Sequence, residues 1–195
     1  MKRLFDILIS GLGLLALSPL FVIVAVWIKV DSQGPVFYRQ TRVGKGNKDF
    51  QLLKFRSMVG DADKSGLLTV GGHDSRVTRA GYFIRKYKLD ELPQLINVFL
   101  GDMSLVGPRP EVRKYVDMYT PEQLHVLDIR PGITDAASIK YRNENDLLAA
   151  ADNPEQYYID VIMPDKLRIN LEYVAHHSLL GDLKFIFDTF IAILK

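Results

Sequence analysis

The stretch K-L-D-E-L-P-Q-L, Lys88 to Leu95, sets two carboxylates, Asp90 and Glu91, side by side among leucines, directly after the basic residues Arg85, Lys86 and Lys88. Three chemistries suit such a pair. The plainest is structural: acids at a helix start cap free N–H groups and favour the positive end of the helix dipole. A second is nucleophilic, since a carboxylate can attack phosphorus and form a covalent intermediate. A third is metal binding, since Mg²⁺ takes one or two carboxylates and completes its shell with phosphate and water. Side chains one residue apart on a helix do not face each other, so the two acids need not share a role. Arginines suited to phosphate lie near. Arg85 is just upstream, and Arg109 sits in the rigid frame Pro108-Arg109-Pro110, where flanking prolines reduce the backbone freedom lost on binding. On their own these residues indicate phosphate chemistry and leave the three roles open.

The elements that must position them read as follows. Pro93 is best tolerated in a first helical turn, so the spacing of Leu92, Leu95, Ile96 and Phe99 predicts a helix starting near Asp90, with Asp90 as its N-cap. Thr78 to Tyr87 predicts a second helix. Val36 to Val43 and Phe50 to Met58 read as strands joined by the turn Gly44-Lys45-Gly46-Asn47, which lacks P-loop spacing. Asp61 to Ser75 is polar and glycine-rich and reads as a loop, as does Gly101 to Pro110 (GDMSLVGPRP). Thr120-Pro121-Glu122-Gln123 is a capping-box start for a helix that Arg130-Pro131-Gly132 ends. Asp165 to His176 predicts a helix. Near the end Leu179, Leu180, Leu183, Ile186, Phe187, Phe190, Ile191 and Leu194 mark one broad apolar face, with Asp182, Lys184, Asp188 and Lys195 mostly off it; that face suits a core or a membrane interface. The fold class expected is mixed α/β, mainly helical, with one short β-hairpin.

Ile7 to Ile28 contains no charged residue and is long enough to cross a bilayer. It is too long for a comfortable signal peptide. Ser18-Pro19 lies at its centre, where proline removes a backbone donor and the serine hydroxyl can serve a carbonyl one turn back. Lys2 and Arg3 precede the segment, and Lys29, Arg39, Arg42 and Lys45 follow it. Basic residues on both sides pull both ends to the cytoplasmic face, which predicts a re-entrant helix broken at Ser18 and Pro19. The domain organisation expected is a membrane hairpin over residues 1–30 and a cytoplasmic catalytic domain over 31–195.

Composition narrows the classes further. With 195 residues, 48% hydrophobic and 25% charged, the chain can build one real core. A net charge of +2 is too small for a nucleic-acid coat. The absence of cysteine removes disulfides, thiolate zinc sites and thiol nucleophiles. His73, His125, His176 and His177 show no metal-ligand spacing.

Taken together, the motifs resemble the bacterial sugar transferases, the monotopic phosphoglycosyl transferases. The matching pieces are K-R-x-x-D at Lys2 to Asp6, Ser18-Pro19, G-P-V-F-Y-R-Q at Gly34 to Gln40, K-F-R-S-M at Lys54 to Met58, L-D-E-L-P-Q-L at Leu89 to Leu95, N-V-x-x-G-D-M-S-L-V-G-P-R-P at Asn97 to Pro110 and R-P-G-I-T at Arg130 to Thr134. They run nearly end to end. The resemblance implies that Asp90 attacks the sugar-linked phosphate of a UDP-sugar, that UMP leaves, and that undecaprenyl phosphate then takes the phosphosugar from the aspartate. This would begin surface-glycan assembly on the cytoplasmic face of the bacterial inner membrane. It implies Glu91 as ligand of Mg²⁺, and Arg85, Arg109, Arg130, Arg142, Lys54 and Arg56 as phosphate- and substrate-binding residues. It also implies the catalytic core of the family without the extra N-terminal spans of larger members. One stretch departs: Asp135-Ala136-Ala137-Ser138 stands where the family pattern continues G-W-A-Q, so the donor sugar does not carry over. The sequence leaves the sugar, the glycan pathway and a homo-oligomer open. Two other readings stand beside this one: a conventional glycosyltransferase on a single span, releasing UDP, and a non-catalytic membrane scaffold.

Overall fold

A computed structural model describes residues 1–60 and 74–194. The expectation for Asp61 to Ser75 therefore lies, but for its last two residues, outside the described residues. The chain begins with one long helix, α1 (Lys2–Asp31), which runs through Pro19. Pro19 has no N–H to give the carbonyl of Leu15, and the Ser18 hydroxyl donates to that same oxygen at 2.8 Å. The lost ladder bond is thus replaced by its neighbour's side chain. Among the described residues α1 is the one helix long and apolar enough to cross a membrane.

A hairpin follows, β1 (Phe37–Val43) and β2 (Asp49–Phe55), paired antiparallel with Gln40 opposite Leu52. β2 stops at Phe55, three residues short of the expected end: Arg56 N still bonds the Val36 carbonyl at 2.9 Å, but Met58 bridges Val77 instead of continuing along β1. Next come α2 (Arg79–Lys86), within the expected Thr78 to Tyr87 helix and capped by the Thr78 hydroxyl, and α3 (Gln94–Leu100). The helix expected from Asp90 is not there: Leu89–Glu91 is a 3-10 turn, and Pro93 rather than Asp90 stands at the N-cap of α3. Lys88 enters that turn in the left-handed region (φ 55°), so the chain reverses between α2 and α3 before helix can start.

The GDMSLVGPRP segment is also more than a loop. It contains β3 (Ser104–Val106), which pairs parallel with β4 (Gly132–Thr134) after a crossover through α4 (Arg113–Val116) and a 3-10 run, Gln123–Asp128. Three-residue strands show no readable periodicity. The Thr120/Gln123 capping box forms as predicted, each backbone N–H taking the other's side chain at 2.9 and 3.2 Å, but it opens this 3-10 run rather than an α-helix. The parallel pair needs glycine where it meets: a Cβ on Gly132 would lie 2.1 Å from the Gly107 nitrogen. Short helices α5 (Ala136–Lys140), α6 (Glu144–Ala149) and α7 (Pro154–Tyr157) lead into a π-helical turn, Tyr158–Ile162, and then α8 (Met163–His176) and α9 (Leu179–Leu194).

Both ends of α1 are bonded to the body that follows. At its start, Lys2 pairs with the buried carboxylate of Asp182 on α9. Arg3 donates to the Val98 and Phe99 carbonyls at the end of α3 (2.5 and 2.9 Å), and Asp6 accepts from Ser104 Oγ and Leu105 N, each at 3.1 Å. At its end, Arg56 donates to the Ile28, Ser32 and Gln33 carbonyls, and Asp31 accepts from Ala80 N at 3.1 Å. Val24 and Ile28 share a core with Phe55, Ala80 and Ile84. The opposite face of α1 is apolar and uncovered, with Leu15 at 74% and Val30 at 82% exposure. α9 is turned the same way. Asp182, placed off the apolar face by its spacing, points inward to Lys2 and Tyr173, while Leu180, Leu183 and Phe187 face out.

Asp6→Ala would strand two buried donors at the pin between α1 and β3. The expected cost is about 1–3 kcal/mol for each unpaired donor, read as a lowered Tm in detergent or nanodiscs. Asp6→Asn keeps the accepting oxygen and should recover most of it; an Asp6→Ala protein that melts with its parent would show that the pin adds no stability.

Candidate functional site

The acid pair lies in a cleft of about 490 Å³ between the hairpin, the 88–91 turn, the Pro-Arg-Pro frame and α8, a size usual for ligand sites. Glu91 is its electrostatic centre. Arg109 holds both Glu91 oxygens as a fork, Nη1 to Oε2 at 3.2 Å and Nη2 to Oε1 more closely, and Lys54 reaches Oε1 at 3.4 Å from β2. Burial alone would raise the Glu91 carboxyl; the charges of Arg109 and Lys54 outweigh it and hold it well below the usual carboxylate range. Burial lowers the Lys54 ammonium, with Glu91 opposing.

Asp90 has the reverse environment. It is 6% exposed and its Oδ1 has no hydrogen-bond partner among the described residues. Burial raises its carboxyl above the ordinary 3.8, the Lys54 charge opposes, and the neighbouring Glu91 charge adds to the rise. Adjacent in sequence, the acids are therefore divided in state: one locked as a carboxylate, the other a basic oxygen facing the cleft.

Arg109 is set from both sides. Its backbone N–H donates to Asp135 Oδ2 at 3.0 Å, and Asp135 also caps α5 by accepting from Ser138 N at 2.7 Å. The Asp135–Ser138 stretch that departs from the family pattern is thus the support of the phosphate-type arginine. Arg109 keeps 34% of its side chain exposed, so it can meet a ligand without leaving Glu91.

The structure brings together Lys54, Arg85, Asp90, Glu91 and Arg109 around this cleft. It does not bring the other sequence candidates with them. Arg56 borders the cleft, but its terminal nitrogens are spent on the end of α1. Arg130 donates to the Gly101 carbonyl at 2.7 Å, serving the C-terminus of α3. Arg142 is exposed and away from the lining. Ser18 and Pro19 lie on α1 and serve its helix.

Three contributors escaped sequence reasoning. Asp135 carried a legible sign, since aspartate is a favoured N-cap that accepts from the N–H three residues on. Asn97 did not: its amide bonds Leu53 N and Gln51 O (2.9 and 2.8 Å), so α3 closes the free edge of β2 and holds Lys54 in place. The Arg42–Glu111 pair at 2.9 Å, deeper in the cleft, joins residues far apart in the chain.

The cleft thus holds a buried carboxylate whose Oδ1 has no partner among the described residues, beside a carboxylate neutralised by two cations. The chain belongs to the bacterial sugar transferase family, whose model matches residues 1–195. It is 40% identical over 99% of its length to the UDP-N-acetylgalactosamine-undecaprenyl-phosphate N-acetylgalactosaminephosphotransferase of Aeromonas hydrophila, covering 43% of that protein. It is 36% identical over 96% of its length to a UDP-glucose:undecaprenyl-phosphate glucose-1-phosphate transferase of Caulobacter vibrioides, covering 67% of it. It is 38% identical over 98% of its length to the exopolysaccharide production protein PSS of Rhizobium leguminosarum bv. phaseoli, covering 94% of it. The chain thus spans less than half of the first of these relatives.

The two acids should titrate on opposite sides of their ordinary values, Asp90 above 3.8 and Glu91 below 4.5. Glu91 then contributes stability that is present above 4.5 and lost as pH falls; Asp90 contributes stability at low pH that is lost as pH rises through its folded value. Carboxyl ¹³C titration reads both. Lys54→Met should move Asp90 further up, and an Asp90 that titrates at or below 3.8 in the parent contradicts the environment described.

Proposed function

We propose that this chain transfers a sugar 1-phosphate from a UDP-sugar to undecaprenyl phosphate, releasing UMP, as a first membrane step of surface-glycan assembly. The observation that carries the reading is the unpartnered, buried Oδ1 of Asp90 beside the Arg109–Glu91–Lys54 wall; the relatives' names give the substrates. Asp90 attacks the sugar-linked phosphorus. A P–O bond forms to the carboxylate, the bond to the bridging oxygen breaks, and UMP carries away the electron pair. A phosphate oxygen of the polyprenyl acceptor then attacks the same phosphorus and releases the aspartate. Arg109 and Arg85 neutralise the phosphates, and the raised carboxyl of Asp90 makes it a stronger nucleophile once ionised. One site used in turn by a soluble donor and a lipid acceptor gives ping-pong kinetics.

Mg²⁺ suits the residues present. Glu91 Oε2 takes one hydrogen bond among the described residues, from Arg109 at 3.2 Å, and keeps a lone pair for an ion that completes its shell with phosphate and water. Among the described residues no cluster of three or more acidic, histidine or cysteine side chains forms, so the ion would arrive with the diphosphate. Glu91, with Asp90 beside it, would hold it; when bound it would supply neutralisation of the donor's diphosphate and of the UMP that leaves.

The placement proposed is the cytoplasmic face of the inner membrane, with α1 re-entrant and α9 lying at the interface. The bonds from both ends of α1 to one polar body support entry and exit by the same face, since a straight 30-residue helix would be about 45 Å long. The uncovered apolar faces of α1 and α9 support a bilayer as their cover.

Two predictions test this. Purified protein with Mg²⁺, undecaprenyl phosphate and a panel of UDP-sugars should release UMP, and Asp90→Asn should lower turnover about a thousandfold or more in a folded protein. Release of UDP would mean ordinary glycosyl transfer. That outcome would turn attention to Asp61-Ala62-Asp63, a triplet of D-x-D metal spacing outside the described residues. Tags before Lys2 and after Lys195 should both be reached from the cytoplasmic side alone; a periplasmic N-terminal tag would make α1 a span.

A further inference from the structure

The cleft continues past the acid pair. Beyond Arg42 and Glu111 it runs beneath α8, where Tyr115, Tyr158, Lys166 and Asn170 line it. The charges at this inner end are spent on one another. Glu111 takes Arg42 at 2.9 Å, its own neighbour Val112 N at 2.8 Å, and the hydroxyl of Tyr158. Lys166 donates to Glu144 at 2.7 Å and lies 5.6 Å over the Tyr158 ring. Burial pushes the Tyr115 phenol up to about 12, so it stays protonated. The Tyr115 and Tyr158 rings stand 5.0 Å apart. The inner end is therefore aromatic and neutral in balance, in contrast to the basic end at Lys54, Arg85 and Arg109.

One group there is unsatisfied. Asn170 is 6% exposed, and its Oδ1 accepts no hydrogen bond among the described residues. Leaving a buried amide oxygen unpaired costs about 1–3 kcal/mol. Asparagine is also a poorer helix former than alanine or leucine, so neither packing nor propensity accounts for it on the inward face of α8.

We infer that Asn170 is a recognition residue for the soluble donor: its Oδ1 accepts a hydrogen bond from an N–H or O–H on the neutral part of the nucleotide sugar. With the diphosphate at the basic end, the uracil imide and the sugar's amide or hydroxyl groups both carry that donor chemistry. The inference rests on the proposed donor, and binding separates the two claims because it needs no turnover.

The test uses the full chain in nanodiscs with Asp90→Asn, which halts covalent transfer, and titrates UMP, UDP-glucose and UDP-N-acetylglucosamine by calorimetry. Asn170→Ala should weaken binding about tenfold, the cost of one hydrogen bond, while the Tm holds or rises, because no internal bond is lost. Weakening of UMP together with both sugars supports contact with the base. An unchanged UMP with one or both sugars weakened supports contact with the sugar. Unchanged binding of all three, with Arg109→Ala still weakening them, overturns the inference and leaves the donor reading standing; a parent that binds none of the three overturns both. A lowered Tm with unchanged affinity would make Asn170 structural. If the alanine variant does not fold, Asn170→Leu, close in volume, carries the same measurement.

Discussion

A carboxylate taken out of water must be paired, because an uncompensated buried charge costs several kcal/mol. Glu91 meets that demand with Arg109 and Lys54, and the requirement organises the molecule around it. Lys54 comes from β2, whose edge is held by Asn97 of α3. Arg109 comes from the Pro-Arg-Pro frame, whose backbone is held by Asp135 at the end of β4. The turn bearing Glu91 is entered through a left-handed Lys88. Hairpin, parallel pair and α2–α3 reversal thus converge on one side chain. The same convergence leaves Asp90, the adjacent residue, buried with an oxygen that has no hydrogen-bond partner among the described residues.

The membrane segment and the site are linked by shared supports rather than by contact. Arg56, two residues beyond Lys54, spends its guanidinium on the last carbonyls of α1. Arg3 and Arg130 both serve carbonyls at the end of α3, the helix that carries Asn97. Arginines with the look of ligand-binding residues therefore fall into two groups. Arg85 and Arg109 border the acid pair, while Arg56 and Arg130 fix the frame. This follows from geometry, since a guanidinium can fork to a phosphate or to helix carbonyls with equal ease.

Local features were legible because their physics is local. The Thr120/Gln123 box and the Ser18 hydroxyl serving Leu15 each act within four residues, and spacing alone announces them. β3 and β4 were illegible because three buried residues carry no period and pair only across a crossover. The N-cap expected at Asp90 failed because the chain reverses before α3, and the backbone of Lys88 is what decides it. The face of α9 misled for another reason: an apolar stripe reads alike whether a core or a bilayer covers it, and the inward turn of Asp182 depends on Lys2, 180 residues away.

By itself the sequence determined that an apolar segment carrying Ser18-Pro19 and flanked by basic residues precedes an acid pair set among basic residues, because charge, hydrophobicity and proline chemistry belong to residues wherever they sit. Only the tertiary structure decided which acid is locked and which is free. Asp90 and Glu91 have nearly the same intrinsic acidity. Burial raises Asp90; at Glu91 the charge of Arg109, 18 residues away in the chain, outweighs burial together with that of Lys54, 37 residues away, which favours the charged form of both acids, so the difference is made at distances that folding alone closes.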